Sequence, residues 1–226
     1  MAESHDKDIK IKTESGIVSG ILDFPTTVAA SLTLAHGAGA GMRHKFMADL
    51  AASLTSVGFA VLRFQFPYME CGKRRTDSPA IATATVAAAV EVLRNRVPGV
   101  PIFAAGKSFG ARMTTTAAAE HLIASIEGII CYGFPLHPSD DPAIGRAKHL
   151  AQVPMPMLFL QGTRDELADL ELMRGVGAKL PFLRLHEVEG ADHSFSVLKR
   201  SGRTPEDVME ELADQSMRFA LHRCRT

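Results

Sequence analysis

The 226-residue chain has no tryptophan, two tyrosines and three cysteines, and neither sign of charge is in excess, since 25 Lys plus Arg balance 25 Asp plus Glu. The cysteines, at 71, 131 and 224, are odd in number, far apart and without a C-x-x-C pair, which argues against both a disulfide framework and a zinc ribbon. A reducing, cytoplasmic setting is the expectation. With a pI near 7.1, the electrostatic case for a dedicated nucleic-acid or anionic-membrane binder is missing, and a small or neutral partner is expected instead. The opening stretch Met1 to Asp8 is mixed and polar, with no basic region leading into an apolar one, so no secretory signal is expected and the first residues are expected to fray. The longest uncharged run, Phe24 to Met42, holds Pro25, several Ser and Thr, and Gly37, Gly39 and Gly41, a composition unsuited to a transmembrane helix.

What the chain does have is pattern. Its length suits a single domain spanning residues 1–226, at roughly 100–200 residues per domain, and no Ser-, Gly- or Pro-rich linker divides it. Ile9 to Lys12 and Gly16 to Phe24 alternate apolar and polar residues around Glu14-Ser15-Gly16, which predicts an opening hairpin. Short continuous apolar runs follow at 31–35, 60–64, 101–105, 128–132 and 157–160, the mark of strands covered on both faces in a mainly parallel sheet. Between them the period changes to that of helices. Phe46 to Val57 is amphipathic and ends at Gly58, Ser78-Pro79 opens an Ala-rich helix to Arg96, and Thr204-Pro205-Glu206-Asp207 opens a last helix to about His222. Strands alternating with helices predict an α/β domain with helices on both faces of the sheet.

The sharpest local signal is Gly106-Lys107-Ser108-Phe109-Gly110, directly after one apolar run and before the helical stretch Ala111 to Leu122. This is G-x-S-x-G where a nucleophile elbow needs it. Small residues two before and two after the Ser avoid clashes in a strained strand-to-helix turn, and the residue after the Ser can offer its N–H to a developing oxyanion. A Ser nucleophile also needs a base and a group to orient that base. Asp165 follows the strand 157–160 in Gln161-Gly162-Thr163-Arg164-Asp165, and His193 follows the strand 183–188 in Gly190-Ala191-Asp192-His193. Ser108, Asp165 and His193 are thus expected on strand-end loops, where open α/β sheets bind ligands. His36-Gly37-Ala38-Gly39 follows the strand 31–35 and matches an HGGG-type element, so the oxyanion donors are expected to be the N–H groups of Phe109 and Ala38, with Gly37 as the neighbouring possibility.

Together the His-Gly-x-Gly loop, G-x-S-x-G, G-x-x-Asp and Gly-x-Asp-His-x-Phe resemble an α/β-hydrolase over roughly residues 16–222, and within that superfamily the small dienelactone-hydrolase-like proteins. Dienelactone hydrolases use a Cys nucleophile where this chain has Ser108, so their carboxy-lactone substrate does not carry over. The resemblance implies a serine hydrolase acting on a small ester, thioester or lactone without metal or organic cofactor. A non-catalytic scaffold on the same fold is the rival reading, since fold alone does not settle function. Only about 24 residues separate Tyr132 from Met157, too few for a large cap domain.

Glu166 and Asp169 suit a helix start, Asp192 suits a loop cap, and His36 is expected to fix its own loop. Arg63 suits a buried ion pair, and the charged loop 67–79 is either a substrate-carboxylate contact or a solvated surface. Gly106-Lys107-Ser108 ends like a Walker A motif, but the Gly needed at 101 is Pro, and Gly37 to Met42 departs from G-x-G-x-x-G at its last position.

Overall fold

The computed structural model describes residues 7–223, so the expected fraying of the first residues and Cys224 lie outside the described residues. The period-2 segments pair as expected: β1 (Lys7–Thr13) and β2 (Gly16–Asp23) form an antiparallel hairpin, with Thr13 opposite Gly16 at the turn. The apolar runs become β3 (Ala30–Ala35), β4 (Phe59–Phe64), β5 (Ile102–Lys107), β6 (Gly128–Tyr132) and β7 (Met157–Gly162), each buried along its whole length. The edge strand β8 (Leu183–Val188) is buried only at its two ends. The sheet order is β1-β2-β4-β3-β5-β6-β7-β8, parallel from β4 onward and antiparallel at β1 and β2.

Helices cover both faces. Met47, Leu50 and Leu54 of α1 (Lys45–Ser56) and, from the C-terminal helix, Val208 and Leu212 share one core with alternate residues of the central strands. The opposite core takes Val86, Ala89 and Leu93 of a long Ala-rich helix and Ala111, Met113 and Ala117 of the helix after β5. A stretch of 3-10 helix, Gly145–Gln152, adds Ala147 and Leu150 to that side. In chain order the remaining helices are α2 (Pro67–Glu70), α3 (Pro79–Arg96), α4 (Phe109–Ala119), α5 (Leu170–Gly177) and α6 (Pro205–Arg223).

The expected helix openings are present. The Ser78 side chain accepts the Ile81 N–H with Pro79 in the first helical position. Thr204 and Asp207 cap each other, the Asp207 N–H donating to Thr204 Oγ1 at 3.1 Å and the Thr204 N–H to Asp207 Oδ2 at 2.7 Å. Pattern did not reveal α2, one turn inside the charged loop, or the Gly145–Gln152 turn, because neither is long enough to show a period.

The strand order has a consequence for function. From β3 the chain steps to β4 on one side, then crosses back to β5 on the other, so the C-terminal ends of β3 and β5 flank a topological switch point. Ligands of open α/β sheets bind in that crevice. Between β6 and β7 the chain spends its residues on a loop and the Gly145–Gln152 turn packed against α4, and among the described residues no cap covers the crevice.

Candidate active site

The elbow is built by steric exclusion. Ser108 has φ 52° and ψ −113°, a left-handed conformation that costs a non-glycine residue about 1–3 kcal/mol. The bend is possible because its neighbours have no side chains: a Cβ on Gly106 would lie 2.3 Å from the Gly110 carbonyl carbon, and one on Gly110 would lie 2.4 Å from the Ala35 oxygen. Ser108 is held to β6 by its N–H, which donates to the Tyr132 oxygen at 3.1 Å.

Ser108, Asp165 and His193 meet above the sheet. His193 Nε2 lies 2.9 Å from Ser108 Oγ, and His193 Nδ1 lies 2.8 Å from Asp165 Oδ2. The carboxylate can only accept, so Nδ1 carries the proton and Nε2 is left to accept from the Ser108 hydroxyl. The Asp165 side chain is fully buried while that of His193 is 22% exposed. Asp165 accepts two further bonds, from the Leu167 N–H at 2.8 Å and from Gln161 Nε2. Close packing fixes this corner as well, for a Cβ on Gly162 would lie 2.3 Å from the Ala191 oxygen.

The rival residues have other duties. Asp169 caps α5 by accepting the Leu172 N–H, and Asp192 accepts the N–H groups of Ser194 and Ser196, which ties down the His193 loop. Arg63 makes the buried pair expected of it, with Nε and Nη2 on the two oxygens of Asp23 at 3.0 and 3.1 Å. His36 is fully buried and spends both nitrogens on main chain: Nε2 accepts the Phe66 N–H at 3.1 Å, so Nδ1 donates to the Gly37 oxygen at 2.7 Å. Burial pulls its pKa down to about 4, so it stays neutral. His137 likewise accepts the Asp169 N–H, and His149 contacts Thr115.

Gly37, Ala38 and Gly39 form the turn after β3, and an added Gly37 Cβ would lie 3.7 Å from the Ser108 Cβ. Tyr68, which sequence reasoning passed over, fixes this turn. Its hydroxyl donates toward the Ala38 oxygen at 2.9 Å and lies 3.2 Å from the Gly37 oxygen. In a trans peptide the C=O and the following N–H point in opposite directions. With the Gly37 carbonyl held by His36 and Tyr68, the Ala38 N–H points away from both. Among the described residues, no acceptor takes the N–H of Ala38 or of Phe109.

The loop 67–79 therefore serves the site by support. Glu70 accepts from Ser19, Asp77 accepts the Tyr68 N–H, and Lys73, Arg74 and Arg75 are exposed. A cavity of about 910 Å³ opens beside Ser108 on the opposite side, toward α1 and α6, and that loop does not line it. Its lining includes the apolar side chains of Phe46, Met47, Leu167, Phe195, Val197 and Met209 and the charged ones of Lys45, Asp49, Lys199 and Arg203. Tyr68, Gln161 and Lys107 belong to the site by contact; motif spacing marks neither Tyr68 nor Gln161, and Lys107 stands in the sequence as the variable position of G-x-S-x-G and in the rejected Walker A reading.

A parallel sheet entered by an antiparallel hairpin, with a strained Ser after β5, an acid after β7 and a His after β8, defines the α/β-hydrolase class. A family model described as an alpha/beta hydrolase domain matches residues 28–221, and the chain belongs to that family. Solved structures of the same architecture include an alpha-beta serine hydrolase homologue from Coxiella burnetii, 22% identical with a TM-score of 0.75 over 95% of this chain and 99% of that one. A Xanthomonas campestris protein described as an a/b serine hydrolase without lid is 20% identical, with a TM-score of 0.76 over 97% of each chain. A dienelactone hydrolase from Anabaena variabilis is 17% identical, with a TM-score of 0.75 over 98% of this chain and 99% of that one.

Proposed function

We propose that the protein hydrolyses small carboxylic esters, thioesters or lactones through an acyl-enzyme on Ser108. The observation that carries this reading is the continuous hydrogen-bonded line from Ser108 Oγ through the His193 ring to Asp165, with contacts of 2.9 and 2.8 Å. His193 Nε2 takes the hydroxyl proton as Oγ attacks the carbonyl carbon, and Asp165 steadies the imidazolium that forms. The N–H groups of Phe109 and Ala38 receive the oxyanion; Ala38 is favoured over Gly37 because its N–H is turned away from the Tyr68 side of the loop. His193 then returns the proton to the leaving oxygen or sulfur; in a lactone that oxygen stays tethered to the acyl group. Water, deprotonated by the same ring, attacks the acyl carbon and releases Ser108.

The apolar walls of the cavity suit a hydrocarbon or aromatic substituent on one side of the scissile bond. The partner is accordingly a small acyl compound and not a nucleic acid or a membrane. A reducing, cytoplasmic setting suits a chain whose exposed Cys71 and buried Cys131 are both free thiols.

Reaction with a fluorophosphonate probe, read by intact mass and by the peptide that carries the adduct, tests the reading. One adduct on Ser108, absent in Ser108→Ala, is expected. A folded protein that takes up no probe would overturn the mechanism and favour a scaffold role.

A further inference from the structure

Lys107 precedes the nucleophile and runs beneath the site instead of out to solvent. Only 8% of the residue is exposed. Among the described residues no carboxylate lies within ion-pair distance of its ammonium. Nζ donates instead to the main-chain oxygen of His193 at 2.6 Å. It also lies 5.8 Å from the ring centre of Phe46 and 5.4 Å from that of Phe195. Those two rings stack on each other, 5.7 Å apart and 15° from parallel.

The path of the side chain joins three loops. Its Cγ would stand 4.0 Å from a Cβ on Gly37, in the turn after β3. Its Nζ would stand 3.1 Å from a Cβ on Gly133, in the loop after β6, and that same Cβ would be 3.6 Å from both Asp165 Oδ2 and His193 Cε1. The Nζ bond then reaches the His193 loop itself. That loop is held against a local preference, since Phe195 has φ 62°, a conformation disfavoured for a bulky residue.

Enclosing an ammonium without an ion-pair partner is costly, and an apolar side chain of similar length would fill the space without that cost. Burial lowers the Lys107 pKa to about 8 against the opposing attraction of Asp165 and Asp192. We propose that Lys107 is a positioning residue: its bond to the His193 carbonyl fixes the His193 ring at the height of Ser108 Oγ, and its charge lies beneath the His193–Asp165 pair. Charged and titratable groups face Lys107 from the β7 loop as Asp165 and from the β8 loop as Asp192 and His193. From α1 the Phe46 ring faces it and from the β6 loop Gly133, while Lys45 and Asp49 of α1 pair with each other.

This inference rests on Ser108 being the nucleophile. The test is the rate of fluorophosphonate labelling of Ser108 against pH in the native protein, Lys107→Met and Lys107→Gln, with thermal melts and near-UV circular dichroism to establish folding. Lys107→Met should label roughly 10- to 100-fold more slowly at its plateau, the size of effect a small misplacement of a reacting group produces. Lys107→Gln, which keeps an N–H donor without the charge, should regain part of the plateau rate that Lys107→Met loses. A native labelling rate in a folded Lys107→Met, or no recovery in a folded Lys107→Gln, would overturn the inference and leave the Ser108 reading intact. A native protein that takes up no probe would overturn both.

Discussion

The two walls of the site are built on different principles. The wall around β3 and β5 holds its shape by having nothing to put in the way: Gly106 and Gly110 let main chain meet main chain, and the Ser108 turn is forced by that contact. The wall after β7 and β8 is held by side chains, with Asp165 accepting from His193, Gln161 and Leu167, and Asp192 accepting from Ser194 and Ser196. Two histidines make the contrast concrete. His36, on the first wall, gives both nitrogens to main chain and is sealed away; His193, on the second, faces a hydroxyl with one nitrogen and a carboxylate with the other. A strand-end imidazole becomes a base candidate through what its second nitrogen meets, not through its place on the rim.

The comparison breaks in different ways on its two sides. On the side-chain wall, activity should go and the fold remain. Turnover of a p-nitrophenyl ester should fall about 10⁴-fold or more in His193→Ala, with an unchanged melting curve, and about 10²- to 10⁴-fold in Asp165→Asn, whose amide cannot accept from all three donors and which should also melt somewhat lower. Ester turnover near the native level in a folded His193→Ala would remove that residue from the mechanism. On the glycine wall the fold itself should suffer. Gly110→Ala forces a methyl against the Ala35 oxygen, and urea unfolding should show a loss of several kcal/mol, about 3–5.

The histidine contrast has a test of its own in acid. Below about 6.5 the unfolded chain takes up a proton at residue 36 that the folded protein refuses until about 4. Acid therefore favours the unfolded state, and stability should fall as pH drops through that window by up to about 3 kcal/mol from this residue. Urea midpoints measured from pH 7 to pH 4 should lose this component in His36→Gln, whatever that substitution costs at pH 7. Equal slopes in both proteins would show that His36 is not sealed. The smallest effect expected is at Tyr68→Phe, which frees the turn carrying Ala38: kcat should drop about 2- to 10-fold and stability by about 1 kcal/mol.

Much of this architecture is legible in the residues because local physics repeats itself along the chain. Continuous apolar runs mark strands covered on both faces, and β3 to β7 are all buried throughout. Glycines two residues either side of a Ser between a strand and a helix mark a turn that nothing larger could make. By contrast α2 and the Gly145–Gln152 turn escape periodicity because they are single turns or irregular ones, fixed by what they pack against.

The layers, the elbow and the order Ser108, Asp165, His193 follow from the residues alone, because these depend on side-chain period, backbone freedom and position at strand ends. Which groups meet is a matter of the folded arrangement. It put β3 beside β5 and so made a crevice there, gave His36 to the main chain and His193 to Ser108, turned Tyr68 from a charged loop onto the Ala38 turn, and folded Lys107 under three loops at once. Those pairings join residues up to 86 positions apart, and contact at that separation is set by how the sheet is ordered and how closely its loops pack.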